Sequence, residues 1–183
     1  WGFRDPGGNV AGSADGVILS GLVESSKPHL LEVKTANAKQ FDKMLASGVE
    51  KSKPVHWTQM HVLMHRLNLE CALYVVVCKD DDRIYTERLH VDHTLAEQAL
   101  ARAQAVVQIG VPPPRVAQSP DAFPCRFCNH RNVCQLGAKI EPSCRTCAHA
   151  RIVPDGWACS LIGINLTPDM QRRGCDRREE IGT

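Results

Sequence analysis

The chain lacks any apolar run near the roughly 20 residues that cross a bilayer as a helix, and it has no signal-peptide pattern. Neither a membrane span nor a membrane partner is expected. It also lacks a strong charge of either sign, because 22 Lys and Arg against 20 Asp and Glu leave a net +2. Without a global basic field, any nucleic-acid surface has to be a local patch. Internal repeats and low-complexity tracts are missing, so repeat architectures are not in play. A leading methionine is missing too: the chain opens on Trp1, and a fragment or processed form is the expectation.

What is present is globular in composition. At 43% hydrophobic and 23% charged over 183 residues, the chain suits one ordinary domain with a small appendage. Cysteine is plentiful but uneven. Of the nine cysteines, Cys71 and Cys78 lie in apolar surroundings and read as core thiols, and the other seven follow position 124. An odd total with tight Cys-x-x-Cys pairs argues for metal ligation in a reducing compartment rather than a disulfide framework. The expected location is the cytoplasm.

Periodicity places the elements. Residues 1–9 read as irregular, 10–19 as a strand, 20–28 as a turn and 29–35 as a second strand. Asn37 begins a helix with Phe41, Met44 and Leu45 at helical spacing. Pro54 reopens the chain into a helix over about 55–68, with Trp57 assigned to the core. Strands over 70–78 and 83–91 form a hairpin around Asp80–Asp82, and 93–108 is a helix. Residues 110–124 are a proline-rich connector. This order predicts an α/β fold with one mixed central sheet flanked by helices, followed by a small C-terminal metal-stapled module. The expected divisions are a core over 1–124, a cysteine cluster closing it over 125–137, and a zinc-binding module over 138–183.

The first two strands carry charge where interior strands should have none. Asp15 ends a small-residue approach, while Glu32 and Lys34 sit two apart and so project from one strand face. Burying such groups is costly unless they pair or hold a metal. Two carboxylates and a lysine on neighbouring strands make a divalent-cation site with a cationic neighbour, the chemistry of phosphodiester hydrolysis. Plain readings stand beside this one: a turn aspartate before Gly16, an edge-strand ion pair, and an ordinary polar helix position for Gln59. His56, His61 and His65 read as solvated helix residues, and His61 with His65 has i, i+4 metal spacing without a third ligand.

Asp15, Glu32-Val33-Lys34 and Gln59, in this order and on this strand and helix pattern, resemble the PD-(D/E)XK nuclease superfamily. The glutamine points to its RecB-like exonuclease branch, which includes lambda-type and YqaJ-type phage recombination exonucleases and certain CRISPR-associated nucleases. The resemblance covers about residues 10–135 and implies a restriction-endonuclease-like core. It also implies a deoxyribonuclease in which Asp15, Glu32 and the Val33 carbonyl bind magnesium or manganese. Lys34 would then orient or deprotonate the attacking water, and Gln59 would position Lys34 or the DNA backbone. DNA is the implied partner, with a recombination protein beside it, in the host cytoplasm if the protein is phage-encoded. The chain departs from the pattern at Leu63, where the branch commonly has tyrosine. It also lacks a helix before the Asp15 strand and a proline before Asp15. Lys39 and Lys43, just after the Lys34 strand, are candidate phosphate contacts.

Two cysteine clusters follow. Cys125, Cys128 and Cys134, with His130 between them, form a metal-binding string. It reads either as zinc held by all four residues, or, as in iron–sulfur members of the branch, as a [4Fe–4S] cluster completed by an upstream cysteine. Residues 1–14 contain no such cysteine. Cys144, Cys147, Cys159 and Cys175 read as a tetrahedral structural zinc site, with His149 as an alternative ligand. The tail is too short to bury much core, so a metal would supply most of its folding energy. Arg145, Arg151, Arg172, Arg173, Arg177 and Arg178 make it basic and suited to DNA backbone, or leave it a structural cap with solvated arginines. The function expected is a metal-dependent DNA exonuclease. Its rivals are a nuclease-like binding module that no longer cuts, and a zinc-organised scaffold.

Overall fold

The computed structural model describes residues 1–23, 26–109 and 113–181. Parts of the expected 20–28 turn and 110–124 connector lie outside them. The chain is mixed α/β, with three separate sheets and six α-helices among the described residues. It divides into two compact units, residues 1–104 and 105–183. The expected boundary after residue 124 therefore falls inside the second unit.

The first unit opens with a hairpin, not an irregular segment. Strand β1 (Gly2–Arg4) pairs antiparallel with β2 (Ala11–Ser13). The turn between them is closed by Asp5, whose Oδ1 accepts the N–H groups of Asn9 at 2.7 Å and Val10 at 3.1 Å. Glycine is required in this hairpin by close approach, since a Cβ on Gly2 would meet the Gly12 carbonyl oxygen at 2.7 Å. The strand expected over 10–19 is thus two strands broken at Ala14–Asp15. After β2 the chain changes partner, and β3 (Gly16–Ile18) joins a different sheet.

That sheet runs β3, β4 (His29–Ala36), β5 (Cys71–Cys78), β6 (Ile84–His90). The β4–β5 pair is parallel and the outer pairs are antiparallel. The crossover joining the parallel strands consists of α1 (Ala38–Ser52) and α2 (Pro54–Leu67). Asn37 caps α1 by accepting the Gln40 N–H at 3.0 Å, and Pro54 opens α2, where its missing N–H costs nothing. Alternation on β5 turns Ala72, Tyr74 and Val76 into the core. There they join Leu30, Phe41, Met44, Met60, Leu63 and Met64, all at most 1% exposed. Helix α3 (His93–Gln108) follows the hairpin β5–β6, and the division between the units falls within it.

The second unit contains the short helices α4 (Phe123–Arg126) and α5 (Arg131–Leu136), a 3₁₀ turn at Cys144–Thr146, a three-stranded antiparallel sheet and α6 (Pro168–Arg173). The sheet runs β7 (Ala150–Val153), β8 (Gly156–Cys159), β9 (Ile164–Leu166). Among the described residues, its buried apolar side chains are few: Cys125, Cys147, Trp157 and Leu166, between 5% and 8% exposed.

Candidate functional site

Asp15 precedes β3, and Glu32 and Lys34 lie on β4, where Leu30, Glu32 and Ala36 turn into the core and Lys34 on the same face is half-buried. The antiparallel register sets Gly16 opposite Leu31, which brings Asp15 alongside the middle of β4. Its Oδ2 accepts the Val33 N–H at 2.8 Å and lies 3.8 Å from the Lys34 ammonium. Lys34 is also in close ionic contact with Glu32 Oε1. From α2, Gln59 donates to the same Oε1 at 3.2 Å. The four expected residues are therefore neighbours.

Glu32 is the unusual member. It is 1% exposed, and its Oε2 is buried with no hydrogen-bond partner. A carboxylate oxygen in that condition is costly, and a bound cation would relieve it. The donor set of two carboxylates and a backbone carbonyl is chemically suited to magnesium or manganese. Even so, no group of three or more His, Cys, Asp or Glu side chains among the described residues is arranged to hold a metal ion.

Tyr74, which the sequence reading missed, and His56, which it read as solvated, complete the setting. Tyr74 faces Glu32 across the parallel β4–β5 register, and its hydroxyl lies 2.7 Å from His56 Nδ1. Burial first, and then the nearby Glu32 charge, push the Tyr74 phenol up to about 12. His56 is held below the usual imidazole range by burial and by the Lys34 and Lys53 charges. It stands one helical turn before Gln59, a spacing that puts both side chains on one face of α2, and this was the available signal. Gln59 also borders an open apolar cavity of about 510 Å³, lined by Phe3, Val10, Pro54, Val55, Val62 and Leu63.

Of the other two histidines on α2, His61 is not solvated, and His65 is partly exposed. His61 is fully buried; its Nδ1 accepts the Asp92 N–H at 2.9 Å, and the half-buried Trp57 packs edge-on against its ring at 4.3 Å. His65 meets His93, Nδ1 to Nδ1, at 3.1 Å. The i, i+4 pair therefore makes separate contacts. Cys71 and Cys78 are buried, as expected of core thiols.

Lys39 and Lys43 are exposed on α1. Arg172 and Arg173 are also exposed, and both pair with Asp169 within α6, because the i+3 and i+4 positions share a helix face. Other tail arginines also serve the tail itself. Arg145 bonds Gln171 at 2.9 Å and lies over the Trp157 ring; Arg151 bonds the Ala148 and Ala150 carbonyls.

Neither cysteine cluster is gathered into a metal-binding group among the described residues, and the thiols of the first string are also spread apart in exposure. Cys125 is buried and Gln135 Nε2 donates to its Sγ at 3.6 Å. Cys128 and Cys134 are exposed, and His130 stands at the start of α5. By contrast, Cys144, Cys147, Cys159 and Cys175 all line one small cavity in the second unit. The chain matches no protein-family model, no curated protein and no solved structure.

Proposed function

We propose that Asp15, Glu32, Lys34 and Gln59 form the active site of a metal-dependent deoxyribonuclease, an exonuclease of the phage recombination or repair type. The observation that carries this reading is the buried, partnerless Oε2 of Glu32 beside Asp15 and Lys34. A purely structural ion pair has no use for a carboxylate oxygen left unsatisfied. Asp15, Glu32 and the Val33 carbonyl would hold magnesium or manganese, which when bound supplies Lewis-acid neutralisation of charge on the phosphate. The Lys34 ammonium, half-buried between two carboxylates, offers its protons to an anionic phosphate oxygen or orients the attacking water. Gln59 fixes Glu32 Oε1, and Asp15 is held in place by the Val33 amide. Lys39 and Lys43 would meet the DNA backbone on α1. A recombination protein as partner and a cytoplasmic setting belong to the same reading. No described helix is long and apolar enough to cross a membrane.

One observation favours a second reading, a nuclease-like module that binds without cutting. Lys34 already neutralises the acid pair internally, contacting Glu32 and standing 3.8 Å from Asp15. The full chain incubated with end-labelled linear and circular DNA, in magnesium and in EDTA, separates the two. Digestion of linear DNA alone, abolished by EDTA and by Lys34→Ala, is the expected result. Inert DNA alongside metal-dependent binding selects the second reading.

A further inference from the structure

We propose that Cys144, Cys147, Cys159 and Cys175 are the four ligands of a structural zinc ion that stands in for a hydrophobic core in the second unit. The inference is independent of the nuclease reading. The four thiols come from three places in the chain: the 3₁₀ turn at Cys144–Thr146 with Cys147 just after it, the end of β8, and the segment after α6. Residues so far apart in sequence line a single cavity of about 20 Å³. That is room for one ion or one water, and too little for an organic ligand.

The cavity is also where the unit holds together. Cys147 is one of its few buried apolar residues, and an isolated bridge joins Cys147 to Glu180 near the chain's end. All nine cysteines are free thiols, so no disulfide performs the stapling. A unit whose buried apolar side chains, among the described residues, are Cys125, Cys147, Trp157 and Leu166 has little hydrophobic stabilisation to set against chain entropy. Four thiolates around zinc supply folding free energy outright.

The thiols do not yet stand as a metal-binding group. Closing on an ion turns the Cys144 Sγ away from the Met170 carbonyl, which it contacts at 3.3 Å. His149 also lines the cavity, but its Nε2 lies 3.3 Å from Glu179 Oε1. That nitrogen is buried without a hydrogen-bond partner, yet it stands outside the proposed ligand set because four thiolates already complete a tetrahedral shell.

The test is elemental analysis of the full chain purified without added metal, followed by cobalt replacement. One equivalent of zinc is expected, and cobalt should give an intense thiolate charge-transfer band with tetrahedral d–d bands. Cys159→Ser and Cys175→Ser should each lose most of the bound zinc, while Cys128→Ser and His149→Gln retain it. Should the serine variants fail to fold, the cobalt spectrum of the unmodified chain still decides between four thiolates and a mixed set. A chain with no zinc and no cobalt uptake overturns the proposal. So does a histidine-containing set, iron in place of zinc, or zinc that follows Cys128 and not Cys159.

Discussion

Asp15 Oδ2 accepts the backbone N–H of Val33 at 2.8 Å, so the residue just before one strand is fastened to the residue between Glu32 and Lys34 on the next. This bond fixes the spacing of the two carboxylates whether or not a cation is present. Its amide-acceptor role and its charge can be separated. Asp15→Asn keeps an acceptor for Val33 and should leave the unfolding free energy within about 0.5 kcal/mol of the parent. Asp15→Ala removes the acceptor and should cost about 1 kcal/mol. Both should abolish any rise in melting temperature caused by magnesium or manganese. A manganese shift that survives Asp15→Asn would remove Asp15 from the cation site.

Among the described residues, Lys34 is the sole cationic contact of a carboxylate that is 1% exposed. Removing one member of a buried pair leaves the other uncompensated, at about 3–5 kcal/mol. Because Lys34 is partly exposed, Lys34→Met should fall at the low end, about 3 kcal/mol in urea denaturation. The double variant Glu32→Gln, Lys34→Met removes both charges and should recover more than half of that loss. Additive losses would mean that the two side chains are not energetically coupled.

Much of this fold could be read from local pattern, and the parts that could not depend on distant partners. Helix α3 begins and ends where its periodicity places it, because alanine-rich amphipathic sequence specifies a helix by itself. The β5–β6 hairpin was legible for a similar reason, as two β-prone runs around an aspartate turn. Strand β1 was not, since Gly2–Arg4 has no pattern of its own and is a strand only through pairing with Ala11–Ser13. The three-stranded sheet of the tail was hidden in the same way behind its cysteines. At the site, the spacing of Glu32 and Lys34 placed both on one strand face. The contribution of Tyr74 was invisible, because its place opposite Glu32 depends on the parallel register.

Gly48 marks a kink that the continuous α1 pattern concealed. Its φ of 72° and ψ of 173° fall in a region populated almost only by glycine, where other residues incur about 1–3 kcal/mol. The kink turns the Val49 N–H toward Glu87 Oε2, which accepts it at 2.9 Å. A Cβ at this position would sit at an ordinary van der Waals distance from the Glu87 carboxylate, about 3.5 Å, so the penalty is one of backbone conformation alone. Gly48→Ala should therefore destabilise the first unit by about 1–3 kcal/mol, although alanine favours an ordinary helix interior. An unchanged or raised urea midpoint would show that α1 straightens without penalty.

Two histidines make stability depend on pH in the same sense. Burial lowers the pKa of both His56 and His61, with Lys34 and Lys53 adding to the effect at His56. A group whose folded pKa lies below its unfolded value binds fewer protons in the native state, so stability rises with pH across the interval between the two values. The contribution is complete above the unfolded histidine value of about 6.5 and is lost as pH falls through the folded values. At His61 the structural reason is direct, because protonating Nδ1 eliminates the acceptor that receives the Asp92 N–H. Urea midpoints should hold steady from pH 8 to 7 and fall below about 6.5. In His61→Asn, whose amide oxygen can accept from Asp92, the overall stability should be lower and the fall shallower. His56→Gln should also flatten the curve without affecting the Asp92 contact. A curve equally steep in both variants would assign the acid sensitivity to groups other than these imidazoles.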